Sequence, residues 1–217
     1  MNCYWKKTPK IIKRLLSSQV WDIPNLENKI YLTFDDGPTP EVTPWVLSVL
    51  KQNNIKATFF CIGKNLAQNQ EINQEIISNG HVIGNHTYHH KNGWKNKTED
   101  YLLDVELCQN QLLNLKSEIY NQQSKIFRPP YGKLKLAQSK QLRKLGYKII
   151  MWDILSADFD KKITPEKCLQ NATQKVKSSS IIVFHDSEKA FTNLEYALPK
   201  TIQILKEKGF TFDVLAT

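Results

Sequence analysis

The sequence predicts an α/β fold built around a parallel sheet. Short apolar runs of strand length alternate along the chain with segments of helical periodicity, and this alternation is typical of βα units. No glycine-, serine- or proline-rich linker interrupts the pattern within the 217 residues, so we expect one domain. The polar residues best suited to chemistry directly follow the apolar runs. That position corresponds to the carboxyl ends of the strands, where barrels of βα units carry their active sites.

About seven apolar runs are expected to form the strands. Each is short, is rich in apolar strand-forming residues, and lies next to turn or cap residues. In chain order they are Ile30 to Phe34, Ala57 to Ile62, Val82-Ile83, Ile126-Phe127, Tyr147 to Trp152, Ile181 to Phe184 and Phe210 to Leu215.

The segments between these runs carry apolar residues at helical spacing and are expected to form helices. Proline suits the first helical position, glycine the end, and threonine the N-cap, so these residues set the expected limits. The first expected helix begins at Thr43-Pro44, the second runs through Ile72 and ends at Asn79-Gly80, and the third begins at Thr98. The fourth runs through Leu142 and ends at Gly146, the fifth begins at Thr164-Pro165, and the last runs through Leu198 and ends at Gly209.

The composition is that of a soluble globular protein with a basic surface. Hydrophobic residues make up 41%, charged residues 24%, and the formal net charge is +9. The lysines are scattered rather than gathered in one stripe with aromatics, so no nucleic-acid partner is expected. No apolar stretch approaches the roughly 20 residues of a membrane span. The cysteines are too widely spaced to indicate a disulfide framework or a cysteine zinc site: Cys3, Cys61, Cys108 and Cys168.

Residues 1–28 form a basic segment ahead of the domain expected over residues 29–217. Met1 to Gln19 contains no apolar core followed by a small-residue cleavage site, so we expect no secretory signal and a cytoplasmic or peripheral location. A short helix is expected here, with Ile11, Ile12, Leu15 and Leu16 on one face beside Lys10, Lys13 and Arg14. Two interpretations stay open: the helix packs on its own domain, or it contacts a membrane surface.

Two histidines and a pair of acids predict a metal site. His86 and His90 are four residues apart, which places both imidazoles on one face of a helical turn. Asp35 and Asp36 follow a strand, and neighbouring strand residues point to opposite sides, so one acid can bind a metal while the other activates water. Two histidines and one carboxylate suit a zinc-like divalent ion with a fourth position left for water. His81 and His89 are expected to be structural or surface residues.

Three further residues follow strands and suit the remaining steps of a hydrolysis. His185 is a candidate general acid because an imidazole titrates near neutral pH. Arg128 precedes two prolines, whose stiff backbone can hold it beside Asp35 and keep that carboxylate ionised. The backbone N–H of Tyr131 is a candidate donor to an oxyanion.

These motifs, in this order, resemble the polysaccharide deacetylases that carry the NodB homology domain, carbohydrate esterase family 4. The resemblance covers Ile30 to the C-terminus. The five matching stretches are Thr33-Phe34-Asp35-Asp36-Gly37, His86-Thr87-x-x-His90, Arg128-Pro129-Pro130-Tyr131-Gly132, Trp152 to Ser156 with Asp158 and Phe159, and Val183-x-His185. The family fold is a distorted (β/α)7 barrel, which we therefore expect here.

The resemblance also implies a role for each matched residue. Asp35 corresponds to the catalytic base, and Asp36, His86 and His90 to the metal ligands. Arg128 corresponds to the residue that adjusts the pKa of the base, and Asp158 to the residue that adjusts the pKa of His185, the acid. Pro130, Tyr131, Trp152, Phe159 and Val183 correspond to the walls of the substrate groove and acetyl pocket. Three residues depart from the common family pattern and bear on specificity: Leu155, Phe159 and Val183.

The expected activity is metal-dependent hydrolysis of N-acetyl groups on a chitin- or peptidoglycan-like amino-sugar polymer or oligomer, with release of acetate. Zinc is the first choice of metal, with cobalt, manganese or nickel as alternatives, and a monomer is expected. One alternative is a deformylase or small-amide hydrolase of the same fold, acting on a lipid-linked or cytosolic substrate. Another is a carbohydrate-binding protein without turnover, although no ligand or acid is missing. A nucleic-acid binder is motivated by the net charge alone.

Overall fold

A computed structural model of the chain describes residues 4–115 and 125–215. At its centre lies an eight-stranded sheet in which every assigned strand pair is parallel. The strands are β1 (Lys29–Asp35), β2 (Thr58–Cys61), β3 (Val82–Asn85), β4 (Lys125–Phe127), β5 (Tyr147–Ile149), β6 (Ile154–Leu155), β7 (Ile181–His185) and β8 (Thr211–Asp213).

Seven of the eight strands form one continuous, curled sheet. They follow the path β5-β4-β3-β2-β1-β7-β6, and β8 pairs with β1 off this path. β8 pairs with the first residues of β1, from Lys29 to Tyr31, whereas β2 pairs with β1 from Thr33 onward. The expected α/β class and the distorted barrel of seven strands are confirmed, with β8 as an addition at one end of β1.

Helices fill most of the connections between strands, and each helix expected from the sequence is present. Their bounds are α1 (Lys10–Leu15), α2 (Val42–Gln52), α3 (Gly63–Gln68), α4 (Gln70–Ser78), α5 (Thr98–Leu113), α6 (Leu136–Lys144), α7 (Pro165–Thr173) and α8 (Phe191–Glu207). Short 3₁₀ turns cover Gly93–Lys95 and Pro130–Gly132. Among these helices, none is both long and apolar enough to cross a membrane.

One expected strand, Tyr147 to Trp152, is wrong in its extent. β5 ends at Ile149; the next residue, Ile150, still donates its N–H to Phe127 O of β4 and forms an isolated bridge with Val20 of the N-terminal segment. A new two-residue strand, β6, then starts at Ile154 beside β7. β6 is too short to produce a periodic pattern, and this is why the sequence did not predict it. The same holds for α3, which has only six residues.

The central strands are buried on both faces. Phe34 of β1 stacks on Phe59 of β2 and on Phe184 of β7, with ring centroids 5.0 and 6.3 Å apart. All three rings are fully buried. Burial of a phenylalanine side chain contributes about 1.5–3 kcal/mol, so this stack anchors the strands just before the residues that end them.

The N-terminal segment fills the gap between the edge strands β5 and β6. The Val20 N–H donates to Ile149 O at 2.8 Å, and the Leu155 N–H donates to Lys6 O at 2.9 Å. The residues around Val20 thus extend the sheet at its β5 edge, and the residues around Lys6 extend it at its β6 edge. The boundary at residue 29 stays a prediction, although residues ahead of it are hydrogen-bonded into the same sheet.

A buried carboxylate holds this segment in place. Asp153 is 2% exposed and accepts hydrogen bonds from Lys7, Lys13 and Ser180. Burial alone would raise the pKa of Asp153, but the hydrogen bonds of Lys13, Lys7 and Ser180 hold it below its ordinary value. Asp153 therefore attaches the N-terminal segment to the rest of the fold.

The first helix packs with only half of its apolar residues. Ile12 and Leu16 contact the small core that contains Trp21 and Tyr147. Ile11 and Leu15 are 59% and 72% exposed. The interpretation in which this helix packs on its own domain is thus correct for one pair of residues, while the other pair faces solvent.

Candidate active site

The candidate site lies where β1, β3, β4, β6 and β7 end. Asp35 is the last residue of β1 and His185 the last of β7, and the two are direct partners in the register of these neighbouring strands. His86 follows β3, Arg128 follows β4, and Asp158 lies three residues beyond β6. The parallel strands therefore bring together residues that are up to 150 positions apart.

Asp36, His86 and His90 form a group with the geometry of a metal site. One ligand atom from each lies within 4.8 Å of the other two. Asp36 Oδ1 is 3.1 Å from His90 Nε2 and 3.7 Å from His86 Nε2. Tetrahedral ligands about 2.1 Å from a zinc ion lie roughly 3.4 Å from one another, so these distances match an ion held between the three groups.

The protonation states of His86 and Asp36 also suit a cation. Burial lowers the pKa of His86 to about 4, so its imidazole is neutral at pH 7. Burial would raise the pKa of Asp36, but the hydrogen bond from His90 and the charge of His185 bring it well below its ordinary value. Neutral imidazole and ionised carboxylate are the forms that bind metals.

A backbone carbonyl sets the orientation of His86. His86 Nδ1 lies 2.8 Å from Arg128 O, and because a carbonyl only accepts, Nδ1 carries the proton. The lone pair is then on Nε2, the atom nearest Asp36. Metal-binding histidines in proteins are commonly oriented in this way. The ring of His90 is fixed differently, by the ring of Tyr131 at a centroid distance of 4.6 Å.

Arg128 and Asp35 form a fully buried ion pair. Arg128 has no exposed surface, and its Nη1 donates to Asp35 Oδ1 at 2.6 Å and to Thr33 Oγ1 at 2.8 Å. Nε and Nη2 donate to the carbonyls of Ile150 and Met151, and the guanidinium lies 4.1 Å from the ring centroid of Phe60. Burial lowers the pKa of Arg128, while the charge and hydrogen bond of Asp35 oppose this effect. Asp35 Oδ1 is thus occupied and Oδ2 is left for other partners.

His185 is held by Asp158. The Asp158 carboxylate accepts from the His185 backbone N–H at 2.7 Å and from Nδ1 at 2.8 Å. Burial disfavours the charged imidazole, but the charge and hydrogen bond of Asp158 outweigh it and raise the pKa of His185 to about 9. His185 therefore carries a proton at pH 7, and the free ring nitrogen that can give it away is Nε2.

The Arg128 to Gly132 stretch forms one wall beside the metal group. Pro130 is buried, whereas Tyr131 is 60% exposed and has a φ of 59°, in the left-handed region. A side chain on Gly132 would place Cβ 2.7 Å from the indole of Trp152. Trp152 thus backs this turn and is only partly exposed. Over residues 4–115 and 125–215, no hydrogen bond of the Tyr131 N–H is found, so it is available as a donor.

The other predicted pocket residues lie on the His185 side. The Phe159 ring packs edge-on against His185 with a centroid distance of 4.9 Å. Val183 has no exposed surface and pairs in register with Leu155 of β6, which is 4% exposed. Two of the residues that depart from the family pattern, Val183 and Leu155, are therefore buried neighbours within the sheet.

Several residues that the sequence did not indicate hold the site together. Asp104, buried in α5, accepts hydrogen bonds from the backbone N–H groups of Tyr88 and His89 and from His89 Nδ1. Asn85 accepts from the Thr87 N–H at 2.9 Å. A buried aspartate on a helix face that otherwise carries Tyr101, Val105 and Cys108 was the available signal for Asp104.

The two histidines expected outside the site are outside it. His81 is 5% exposed, and its Nδ1 accepts the Ala57 N–H at 3.2 Å at the opposite ends of the strands. The side chain of His89 is 53% exposed and pairs with Asp104. Of the cysteines, Cys3 lies outside the described residues, and the other three are free and buried.

The fold and this group of residues are those expected of an amide hydrolase, and the chain belongs to the polysaccharide deacetylase family. The family model matches residues 22–150. The chain is 32% identical over 195 residues to a peptidoglycan-N-acetylglucosamine deacetylase of Bacillus cereus, which covers 88% of each chain. It is 30% identical over 160 residues to a chitooligosaccharide deacetylase of Azorhizobium caulinodans, with 74% of each covered.

A solved structure gives the same result. The crystal structure of a peptidoglycan N-acetylglucosamine deacetylase with a bound N-hydroxybenzamide compound superimposes with a TM-score of 0.85 at 32% identity. The match covers 96% of this chain and 95% of the other. The predicted family and fold are therefore confirmed.

Proposed function

We propose that this protein hydrolyses N-acetyl groups on the amino sugars of a peptidoglycan- or chitin-like saccharide and releases acetate. The observation that carries the proposal is that the Asp36, His86 and His90 group lies at the same strand ends as two hydrogen-bonded pairs, Asp35 with Arg128 and His185 with Asp158. One pair supplies a proton acceptor and the other a proton donor, as amide hydrolysis requires.

The donor set of Asp36, His86 and His90 fits a divalent metal, zinc first. One carboxylate and two imidazole nitrogens leave positions open, as in catalytic rather than structural zinc sites. Cobalt, manganese and nickel accept the same donors. A cation bound there supplies Lewis acidity toward the acetyl carbonyl and lowers the pKa of water.

Asp35 is the base in this proposal. Because Arg128 binds Oδ1, the carboxylate is fixed in direction and offers Oδ2 to the attacking water. The Tyr131 N–H stabilises the negative charge that develops on the acetyl oxygen. Pro130 and Trp152 keep the Tyr131 turn in place, since Pro130 begins this turn and the Trp152 indole lies against Gly132.

His185 is the acid. It enters the reaction protonated and gives its Nε2 proton to the departing sugar amine, while Nδ1 remains bonded to Asp158. The Asp158 carboxylate stabilises the imidazolium before that transfer. Phe159 limits the movement of the ring, and Val183 shapes the acetyl pocket from within the sheet.

Acetate release tests this function. Metal-stripped protein is assayed alone and after addition of zinc or cobalt, with N-acetylglucosamine oligomers and N-acetylated peptidoglycan as substrates. We expect acetate only with metal present. Asp213→Asn, a surface carboxylate 43% exposed, serves as the control for Asp35→Asn.

Other products would redirect the assignment. Release of formate from N-formyl amino sugars, without acetate from any saccharide, would assign the site to a deformylase of the same fold. Opening of small cyclic amides would indicate a small-amide hydrolase. Saccharide binding by metal-loaded protein with no product would make the chain a carbohydrate-binding protein.

For the exposed side of α1 we propose peripheral contact with an anionic membrane surface. Ile11 and Leu15 are adjacent on this helix and flanked by Lys10 and Arg14. Apolar residues between cations favour such contact. Co-sedimentation with phosphatidylglycerol vesicles, lost in Ile11→Asn/Leu15→Asn, would support it. If the protein does not sediment with the vesicles, α1 only packs on its own domain. Light scattering of the same sample tests whether the protein is the expected monomer.

A further inference from the structure

The peptide bond between Asp36 and Gly37 is held from both sides. Asp36 has a φ of 84°, in the left-handed region that residues with a side chain rarely adopt. Its carbonyl oxygen accepts a hydrogen bond from Asn65 Nδ2 at 2.8 Å. The next N–H, that of Gly37, donates to Asp186 Oδ1 at 3.1 Å. Two side chains from other elements thus fix the peptide plane that follows Asp36.

Asp186 is built into this position. It is 1% exposed, and its second oxygen accepts the hydroxyl of Thr43 at 2.6 Å. Its own N–H donates to Asp35 O at 3.1 Å. The residue therefore connects the end of β7, the loop after β1 and the first turn of α2. It contacts neither of the two histidines of the metal group through these bonds.

Gly37 is required for this approach. A Cβ at this position would lie 1.9 Å from Asp186 Oδ2, closer than any tolerated contact. The absence of a side chain lets the Gly37 N–H reach the buried carboxylate. Asn65 approaches from the opposite side, from α3, whose amide N–H groups at Gly63 and Lys64 donate to the carbonyls of Thr87 and Tyr88. α3 therefore contacts both loops that carry metal-group residues.

We propose that Asn65 and Asp186 are positioning residues that set the affinity of the Asp36, His86 and His90 group for its divalent metal. The proposal rests on the metal site of the proposed function. A residue with φ near 84° relaxes to a commoner conformation when nothing holds the peptide. Such a change would swing the Asp36 carboxylate away from His90 Nε2, now 3.1 Å distant. The two hydrogen bonds oppose this relaxation before any metal binds.

Zinc affinity measured by competition with a chromophoric chelator tests the proposal. We expect Asn65→Ala and Asp186→Ala each to weaken zinc binding about 10–100-fold, the range common for residues that support metal ligands. Asp186→Asn keeps an acceptor for the Gly37 N–H and should lose less. Asn73→Ala is the matched control, because Asn73 Nδ2 also donates to a carbonyl of α3, Leu66 O at 2.8 Å, but does not contact the Asp36–Gly37 peptide.

A readout without metal separates positioning from a general loss of stability. In the metal-free protein, the Gly37 amide should exchange with solvent faster in Asp186→Ala than in Asn73→Ala at equal free energy of unfolding. Because both residues act on one peptide, the zinc affinity of Asn65→Ala/Asp186→Ala should differ from the sum of the single effects. Asp186→Ala leaves a cavity at a buried position and can prevent folding. In that case Asn65→Ala carries the test alone, because Asn65 is partly exposed.

Unchanged zinc affinity in folded Asn65→Ala, or an equal loss in Asn73→Ala, would overturn the proposal. Zinc affinity is measured without substrate, so the two hypotheses fail separately. A weaker zinc site in Asn65→Ala supports the positioning role even if the natural protein releases no acetate. Acetate release by a protein whose zinc affinity resists both substitutions supports the function and removes the positioning role.

Discussion

His185 donates two hydrogen bonds to one carboxylate, that of Asp158, through its backbone N–H and through Nδ1. The main-chain bond fixes where the strand end lies, and the ring bond fixes which nitrogen faces the site. The same carboxylate accepts the Ser156 hydroxyl at 3.0 Å and the Phe159 N–H at 3.1 Å. Asp158 thus organises the loop after β6 around the proton donor.

The first prediction follows from this arrangement. In metal-free protein, NMR titration should give His185 a pKa near 9, and Asp158→Asn should lower it because the carboxylate charge is lost. If the reaction depends on protonated His185, activity is present below this pKa and is lost as the pH rises through it. The alkaline limb of the pH–activity profile should therefore move to lower pH in Asp158→Asn. Asp160→Asn, on the same loop, is the control. An unshifted titration in Asp158→Asn would contradict the assignment.

The second prediction concerns Asp35. Asp35→Asn should lower kcat about 10²–10⁴-fold, the usual contribution of a general base. Zinc affinity should stay close to that of the natural protein, because Asp36 and not Asp35 belongs to the metal group. Asp36→Ala should show the reverse, with loss of zinc binding. Near-normal turnover of Asp35→Asn would mean that another residue activates the water.

The third prediction concerns the stability of the buried ion pair. Arg128→Met leaves Asp35 as an unpaired buried charge and should lower the free energy of unfolding by about 3–5 kcal/mol in urea. The double variant Arg128→Met/Asp35→Asn removes both charges and should recover part of this loss. Lys29→Met breaks an exposed pair with Asp213 and should change stability little. If the double variant is no more stable than Arg128→Met, buried charge is not the cause.

The fourth prediction uses a histidine far from the site. Burial and, secondarily, the charge of Lys56 lower the pKa of His81 from 6.5 to about 4. The unfolded chain therefore binds a proton between these pH values that the folded chain excludes, so stability is lost as the pH falls from 6.5 toward 4. The loss should reach roughly 3 kcal/mol.

His81→Asn isolates this contribution, because its amide oxygen can still accept the Ala57 N–H but does not titrate. The free energy of unfolding is measured by urea at several pH values. The variant should lose less stability than the natural protein on acidification. Parallel curves for the two proteins would show that His81 does not titrate in this way.

The sequence predicted the sheet and most of the helices because these depend on local apolar periodicity. The convergence of the candidate site residues was also predictable, since the carboxyl ends of parallel strands meet at one rim. The residues that support the site were not. Asp186, Asn65 and Asp104 act through hydrogen bonds to main-chain atoms of other loops. The apolar helix face around Asp104 indicates that it is buried, but nothing in the local sequence of the three residues indicates their partners.

Backbone strain at the site was equally invisible to the sequence. Several non-glycine residues of the site loops have φ values in the left-handed region: Asp36, Thr87, His90, Tyr131 and Ala157. A β-branched or aromatic residue there goes against local preference and is held only by surrounding contacts. Local conformational preference therefore fails at the loops that carry the candidate site residues.

The contacts of the N-terminal segment bear on the order in which the protein is made. Lys6 and Val20 leave the ribosome before their partners Leu155 and Ile149, which follow more than a hundred residues later. The buried anchor of the segment, Asp153, also bonds to Ser180, so its surroundings are complete only when β7 begins. Closing so long a loop is slow relative to local pairing. A segment that is synthesised before all of its partners is consequently among the last of the described elements to reach its place.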